Sequence, residues 1–131
     1  MIEVQEITKQ YGDKVVLDKV GLQFNKGKIT SLIGGNGAGK STLLSVISRL
    51  LSQDGGVVLV DEKNVTEYKS KVLAQRLSIL KQSNHVRLKL TVRELVSFGR
   101  FPYSQEKLNK EDILMVDRAI DFLNLKDMEY L

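Results

Sequence analysis

The sequence contains no cysteine and no tryptophan, a single proline and a single histidine. Without cysteine there is no disulfide framework, no thiol nucleophile and no Cys-type zinc site. Such a composition suits a reducing compartment. Long apolar runs are missing too. The longest are four residues, Val57–Val60 and Ile113–Val116, far short of the roughly 20 that a membrane-crossing helix needs. The opening Met1-Ile2-Glu3-Val4 has neither the basic nor the apolar region of a signal peptide. Aromatics make up only 6% of the chain, and none interleaves with the basic stretch from Lys69 to Arg93. That stretch, and the mild net charge of +4, therefore read as a solvated face, and no nucleic-acid partner is expected.

What is present begins with 131 residues, 42% hydrophobic and 27% charged, the make-up of one globular domain. Its most informative stretch is Gly34-Gly35-Asn36-Gly37-Ala38-Gly39-Lys40-Ser41-Thr42. This fits the phosphate-binding pattern G-x-x-x-x-G-K-[ST] without a mismatch. The glycines let the backbone turn through positive φ and approach a ligand with no Cβ in the way. Successive N–H groups can then form a nest for phosphate oxygens, and a following helix adds its unpaired amides and positive dipole end. Lys40 would bring an ammonium to the β- and γ-phosphates, Ser41 a hydroxyl to Mg²⁺, and Thr42 a further phosphate contact. The flanks agree. Ile29–Ile33 reads as a buried strand, and Leu43, Leu44, Val46, Ile47, Leu50 and Leu51 recur at helical spacing.

Before the loop, Ile2, Val4 and Ile7 suggest a first strand. Val15–Leu17 and then Val20, Leu22 and Phe24 suggest a second, with one face buried. The opening thus reads as an antiparallel sheet feeding a parallel one. After the loop, Val57–Val60 is a strand, Tyr68 to Arg76 a short helix, Leu77–Gln82 a strand and Ser83–Leu90 a loop. Thr91 with Glu94 makes a capping box that opens another helix, which Gly99 ends. Asn109 with Asp112 opens the last helix, with its stripe at Ile113, Val116, Ile120 and Leu123.

Two segments imitate other motifs. Val57-Val58-Leu59-Val60-Asp61-Glu62 has the shape of the second phosphate-enzyme motif, four apolar residues followed by a metal-binding Asp and a water-polarising Glu. It follows Lys40 too closely, and a Gly-rich turn leads straight into it, so it reads as a hairpin strand ending in an acidic turn. Asn109-Lys110-Glu111-Asp112 matches the guanine-reading Asn-Lys-x-Asp literally. It follows a polar segment rather than a buried strand, so it reads as a helix N-cap.

These features together resemble the nucleotide-binding subunits of ATP-binding cassette (ABC) transporters. Tyr11 stands where that family places an aromatic residue against adenine, and Val16 where it places an apolar contact beside it. Gly34 to Leu44 is close to the family's phosphate loop, so Gly35, Asn36, Gly37, Ala38, Gly39, Lys40, Ser41 and Thr42 are the expected ATP-binding residues. Gln82 matches the glutamine of the Q-loop, which reaches Mg²⁺ and the attacking water. Lys40 and Gln82 are then the expected catalytic residues, and Ser41 and Gln82 the expected Mg²⁺ contacts. Thr91 to Tyr103 looks like the importers of iron–siderophore complexes, with haem and cobalamin importers as near relatives.

The resemblance implies an α/β phosphate-loop fold of ABC type. Residues 1–90 would form an antiparallel β subdomain and a partial parallel core around the phosphate loop, and 91–131 the start of the helical subdomain. It also implies ATP and Mg²⁺ as cofactors. The implied partners are a transmembrane permease and a second ATPase subunit, with the protein peripheral on the cytoplasmic face of the cell membrane. The family's LSGGQ-type signature, its second phosphate motif with the catalytic Glu, and its switch histidine are not found in these 131 residues. His85 lies too close to Gln82 to be that switch. The chain is therefore expected to be the N-terminal half of a cassette that binds nucleotide without useful turnover, and to be marginally stable or self-associating through its uncovered phosphate-loop strand. A non-catalytic regulatory nucleotide-binding module, and another phosphate-loop enzyme such as a GTPase or kinase, are the other readings.

Overall fold

The computed structural model describes residues 1–83, 89–104 and 107–131. It divides into two compact units, Met1–Leu73 and Ala74–Leu131.

The first unit is built on a four-stranded antiparallel sheet in the order β2-β1-β3-β4, where β1 is Ile2–Tyr11, β2 Lys14–Phe24, β3 Gly55–Val60 and β4 Lys63–Asn64. In β1, Val4 and Ile7 are both buried although they stand three residues apart, and strict alternation would put them on opposite faces. Glu6 at φ +48° and a register shift between Val4 and Ile7 insert the extra residue that brings Ile7 back inside. Gly56 of β3 faces this bulge. A Cβ there would lie 2.4 Å from the carbonyl oxygens of both Gln5 and Glu6, and its φ is +81°. The helix α1, Lys40–Ile47, contributes Leu43, Val46 and Ile47 to the core that holds Val4, Ile7, Leu17, Val58 and Val60. β3 and β4 are joined by Asp61 and Glu62, both at positive φ, as a two-residue hairpin turn requires. The N-terminal ammonium donates to Asp61 Oδ1 at 2.8 Å. Val57–Glu62 is therefore the hairpin and acidic turn that the sequence suggested.

Several expectations do not hold. Ile29–Ile33 forms no strand, and Ile29 and Ile33 are 100% and 95% exposed. Leu77–Gln82 forms none either, with Leu80 88% exposed. A strand exists only where its N–H and C=O groups meet a neighbour's, and the sheet among the described residues stops at β4. The parallel part of the core is thus not formed, while the α/β class stands. The face of β2 carrying Val20, Leu22 and Phe24 is half-buried, with Leu22 37% exposed, as befits an edge strand.

The helix α2 (Ser70–Ala74) lies at the division, with Ser70–Leu73 in the first unit and Ala74 opening the second. Then α3 (Val92–Ser97) continues as a 3-10 turn over Phe98–Arg100, so the chain passes through Gly99 still helical. α4 is Lys110–Phe122, and a further 3-10 turn covers Lys126–Met128. Both expected capping boxes are present, at Thr91/Glu94 and Asn109/Asp112. Arg93 ties the unit together. Its side chain pairs with Asp117 and with Glu129, and its N–H donates to the Glu129 carbonyl at 2.9 Å. The inward face of α4 is Asp112, Val116 and Ile120, whereas Ile113 and Leu123 are 46% and 60% exposed. The helix is turned so that fully buried Asp112 meets Arg100, whose Nε donates to its Oδ1 at 2.8 Å. Ser83–Leu90 and His85 fall largely or wholly outside the described residues. No helix of the described residues is long and apolar enough to cross a membrane.

Gly56→Ala should lower stability by about 2 kcal/mol or more, because it combines strained φ with a backbone collision. Gly12→Ala, at φ +56° with nothing within 4 Å of its Cβ, should cost only about 1 kcal/mol. Urea unfolding of both variants checks this, and equal losses would contradict the close approach.

The Asp112 carboxyl is held below its usual pKa by the Asn109 backbone N–H and then, against the opposing effect of burial, by Arg100 and Ser104. A depressed folded pKa contributes stability that is present above the unfolded value and lost as pH falls through the folded one. The loss should therefore fall below about pH 4. Glu94, lowered by the Thr91 backbone N–H and hydroxyl, shares that window. Denaturation measured from pH 6 to pH 2 should show a shallower acid limb in Asp112→Asn than in the parent.

Candidate functional site

The segment Gly34–Gly39 is an irregular loop on the first unit, and α1 begins directly after it. Gly37 and Gly39 stand at φ +81° and +87°, so two of the loop's residues use the left-handed region that the sequence assigned to its glycines. Gly39 is buried, and it is the position with least room. A Cβ there would come within 2.9 Å of the Val16 carbonyl oxygen and 3.0 Å of Leu17 Cδ2. At Gly35 and Gly37 a Cβ would meet nothing within 4 Å, leaving an open approach above the loop. The Ala38 N–H donates to the Gly35 carbonyl at 3.3 Å and closes the turn.

Gly39 is also the N-cap of α1, without a side-chain cap. The helical ladder starts with the Leu43 N–H on the Gly39 carbonyl at 2.9 Å, so the amides of Lys40, Ser41 and Thr42 lie ahead of it, at the positive end of the helix. The first turn, Lys40-Ser41-Thr42-Leu43, carries no acidic side chain. The Lys40 Nζ folds back to donate to the carbonyls of Gly34 and Gly35 at 2.6 and 2.7 Å, which places a cation beside those amides. Amide donors, a hydroxyl and an ammonium around an open, Cβ-free approach are a donor set that fits a phosphate chain.

The other expected residues are placed as follows. Val16 packs at Gly39, where its Cγ1 would be 3.4 Å from a Cβ. Tyr11 ends β1, is half exposed, and has the Lys9 ammonium 5.4 Å from its ring centroid. Gln82 belongs to the second unit and lies exposed in a non-helical stretch. Asn109 accepts from the Asp112 N–H at 2.9 Å while Asp112 Oδ2 accepts from the Asn109 N–H at 3.0 Å. That reciprocal cap, with Asp112 buried against Arg100, occupies both residues that a guanine-reading motif would need free.

One contributor was not foreseen. Arg49, just past the C-cap of α1, has φ +57° and reaches the segment after β4. The available signal was a basic residue at the end of the phosphate-loop helix, which favours the helix C-terminus.

A family model described as ABC transporter matches residues 17–130. The petrobactin import ATP-binding protein YclP of Bacillus subtilis (strain 168) is 50% identical over 129 residues, covering 98% of this chain and 51% of the relative. FatE of Bacillus anthracis, with the same description, is also 50% identical over 129 residues, covering 98% and 52%. The hemin import ATP-binding protein HmuV of Pseudomonas aeruginosa is 34% identical, covering 100% and 52%. The chain thus spans about half the length of these curated relatives. A solved ATP-binding subunit of an ABC transporter superposes over 98% of this chain and 52% of its own, with a TM-score of 0.82 at 20% identity, a likeness of fold alone. A nucleotide-free ATP-binding cassette from an ABC transporter covers 98% and 56%, with a TM-score of 0.74 at 28% identity.

Gly39→Ala should displace the start of α1 and cost about 1–3 kcal/mol. Backbone amide shifts at Val16 and Leu17 should move with those of Lys40–Leu43. A variant of parental stability with only local shifts at position 39 would contradict the close contact.

Proposed function

The chain belongs to the ABC transporter family, and from that premise we propose that it is the nucleotide-binding N-terminal portion of an importer ATPase subunit that serves iron–siderophore uptake. The observation that carries the reading is the seat of the phosphate loop, with Gly39 at positive φ beneath Val16 and Leu17 at the mouth of α1. The choice of cargo is supported by two relatives at 50% identity whose descriptions name petrobactin import, against 34% for the hemin import relative.

In this reading residues 1–90 carry the β-rich and phosphate-loop core, and 91–131 open the helical subdomain. Gly35 to Thr42 hold the phosphates of ATP through backbone amides, with Lys40 on the β- and γ-phosphates. Ser41 would supply its hydroxyl to Mg²⁺, Tyr11 would stack on adenine with Val16 beside it, and Gln82 keeps the role that the family resemblance gives it, toward Mg²⁺ and the attacking water. Bound ATP supplies the phosphoryl group, and the residues of this chain orient it and balance its charge. The subunit works as one of a pair on a transmembrane permease, at the cytoplasmic face of the membrane. Asp61 and Glu62 are committed to the turn between β3 and β4, which leaves them unsuited to act as metal ligand and general base. That supports nucleotide binding without useful turnover by these 131 residues alone.

Calorimetric titration with Mg·ATP should show binding. Lys40→Ala should weaken it by at least about tenfold, because a charge-assisted hydrogen bond contributes roughly 1.5–3 kcal/mol. Tyr11→Ala should remove about 1–3 kcal/mol of stacking. Parental protein without affinity for ATP, or Lys40→Ala binding as well as the parent, would sink the proposal. Robust hydrolysis abolished by Lys40→Ala would overturn the expectation of binding without turnover.

A further inference from the structure

The helix that begins at the phosphate loop ends in a turn that glycine ordinarily supplies. Ser48 is its C-cap, the Arg49 N–H donates to the Val46 carbonyl at 3.0 Å, and the Leu50 N–H to the Ser45 carbonyl at 2.9 Å. That pair of bonds is the Schellman arrangement, whose left-handed residue is usually Gly. Here the position belongs to Arg49, at φ +57°, where a Cβ is strained. A glycine would make the same turn without strain, so what distinguishes this residue is its side chain.

The guanidinium does specific work. Nη1 donates to the carbonyls of Val65 and Tyr68 at 3.1 and 2.6 Å, and Nη2 donates to Ser70 Oγ at 2.7 Å. These acceptors run from the 3-10 turn Val65–Glu67 to the first residue of α2. The receiving segment is itself fixed, since the buried Tyr68 hydroxyl donates to the Val60 carbonyl of β3 at 2.7 Å. α1 has eight residues and is therefore only about 12 Å long. A rod that short passes a displacement at one end to the other. Its N-terminal end rests against Val16 and Leu17 at Gly39, and its C-terminal end is held by Arg49.

We propose that Arg49 is a positioning residue for the phosphate loop. By tying the far end of α1 to Val65, Tyr68 and Ser70, it fixes where the amides of Lys40, Ser41 and Thr42 sit. Its ligand, Mg·ATP, rests on the nucleotide-binding reading above, while the mechanical link from Arg49 to the loop does not.

The test uses the 131-residue chain with Arg49→Gly, Arg49→Lys and Ser70→Ala, and has two arms. Without nucleotide, amide hydrogen exchange at Leu43 and Leu44 is compared with exchange at Val4 and Val58 in the sheet. Arg49→Gly should speed the helix amides about tenfold and the sheet amides by less than about twofold, the signature of local rather than global opening. Arg49→Lys should lie between, since an ammonium can still donate to the same carbonyls. Unchanged helix amides, or helix and sheet amides accelerated alike, would overturn the proposal. With Mg·ATP, Arg49→Gly should bind about tenfold more weakly per folded molecule, a loss of about 1.4 kcal/mol, and Arg49→Lys should recover part of it. Equal affinity in Arg49→Gly and parent would again overturn it. If the parent itself does not bind Mg·ATP, the nucleotide-binding reading fails and the exchange arm still decides the clamp. If Arg49→Gly does not fold, Ser70→Ala takes its place, with a smaller acceleration at Leu43 and Leu44 expected and none counting against the proposal.

Discussion

The contact between Gly39 and β2 is the constraint from which the rest of the first unit follows. A Cβ at residue 39 would lie only 2.9 Å from the Val16 carbonyl oxygen and 3.0 Å from Leu17 Cδ2. The start of α1 can reach the sheet only because residue 39 has no side chain. Once it does, Leu43, Val46 and Ile47 fall onto the same core as Val4, Ile7 and Val58. The amides of Lys40, Ser41 and Thr42 are left ahead of the helical ladder, at the end of the helix that meets the loop. Packing and the placement of those amides are thus set by a single close approach. The requirement for glycine is steric at residue 39, while at residue 37 it is only conformational, since a Cβ there would meet open space but φ is +81°.

Legibility in the sequence followed the range of the interactions. Features fixed by neighbours a few residues away were readable. Both capping boxes, the β3–β4 turn and the start of α1 are local chemistry, and each is present. The loop Gly34–Thr42 was readable for the same reason, because the pattern it fits is a fixed run of neighbouring residue types. Features fixed by distant partners were not. Ile29–Ile33 and Leu77–Gln82 have the composition of buried strands, but composition cannot supply the neighbouring backbone that a strand needs. The bulge at Glu6 was invisible for a related reason. Val4 and Ile7 look like a break in alternation, and only the pairing with β2 and β3 shows how both turn inward.

The candidate site was unevenly legible. Lys40, Ser41 and Thr42 follow from the pattern itself. Tyr11 and Val16 were named through resemblance, and Val16 packs at Gly39. Arg49, and the burial of Asp112 against Arg100, escaped because each rests on partners remote in sequence. Arg49 reaches residues 16 to 21 positions away, and Asp112 meets an arginine 12 positions before it. In both cases an ordinary surface residue type does its work through placement, which periodicity does not report. For α4 this was informative. Turning the helix to bury Asp112 exposes Ile113, so the buried ion pair, rather than the apolar stripe alone, sets the face that packs.

The two units differ in what they leave unfinished, and the difference bears on chemistry. The first has a compact core and, at the start of α1, the amides of Lys40, Ser41 and Thr42 ahead of the helical ladder with the Lys40 ammonium held on the loop carbonyls, a donor set suited to a phosphate chain. Turnover requires more, because phosphoryl transfer needs a placed water and charge stabilisation beyond the β- and γ-phosphates. Among the described residues, the acidic pair that follows an apolar strand after the loop, Asp61-Glu62, is bent into a hairpin, with Asp61 held by the N-terminal ammonium. Meanwhile Ile29 and Ile33, just ahead of the loop, lie bare. Any chain segment that paired with that stretch would bury them and order the backbone leading into Gly34.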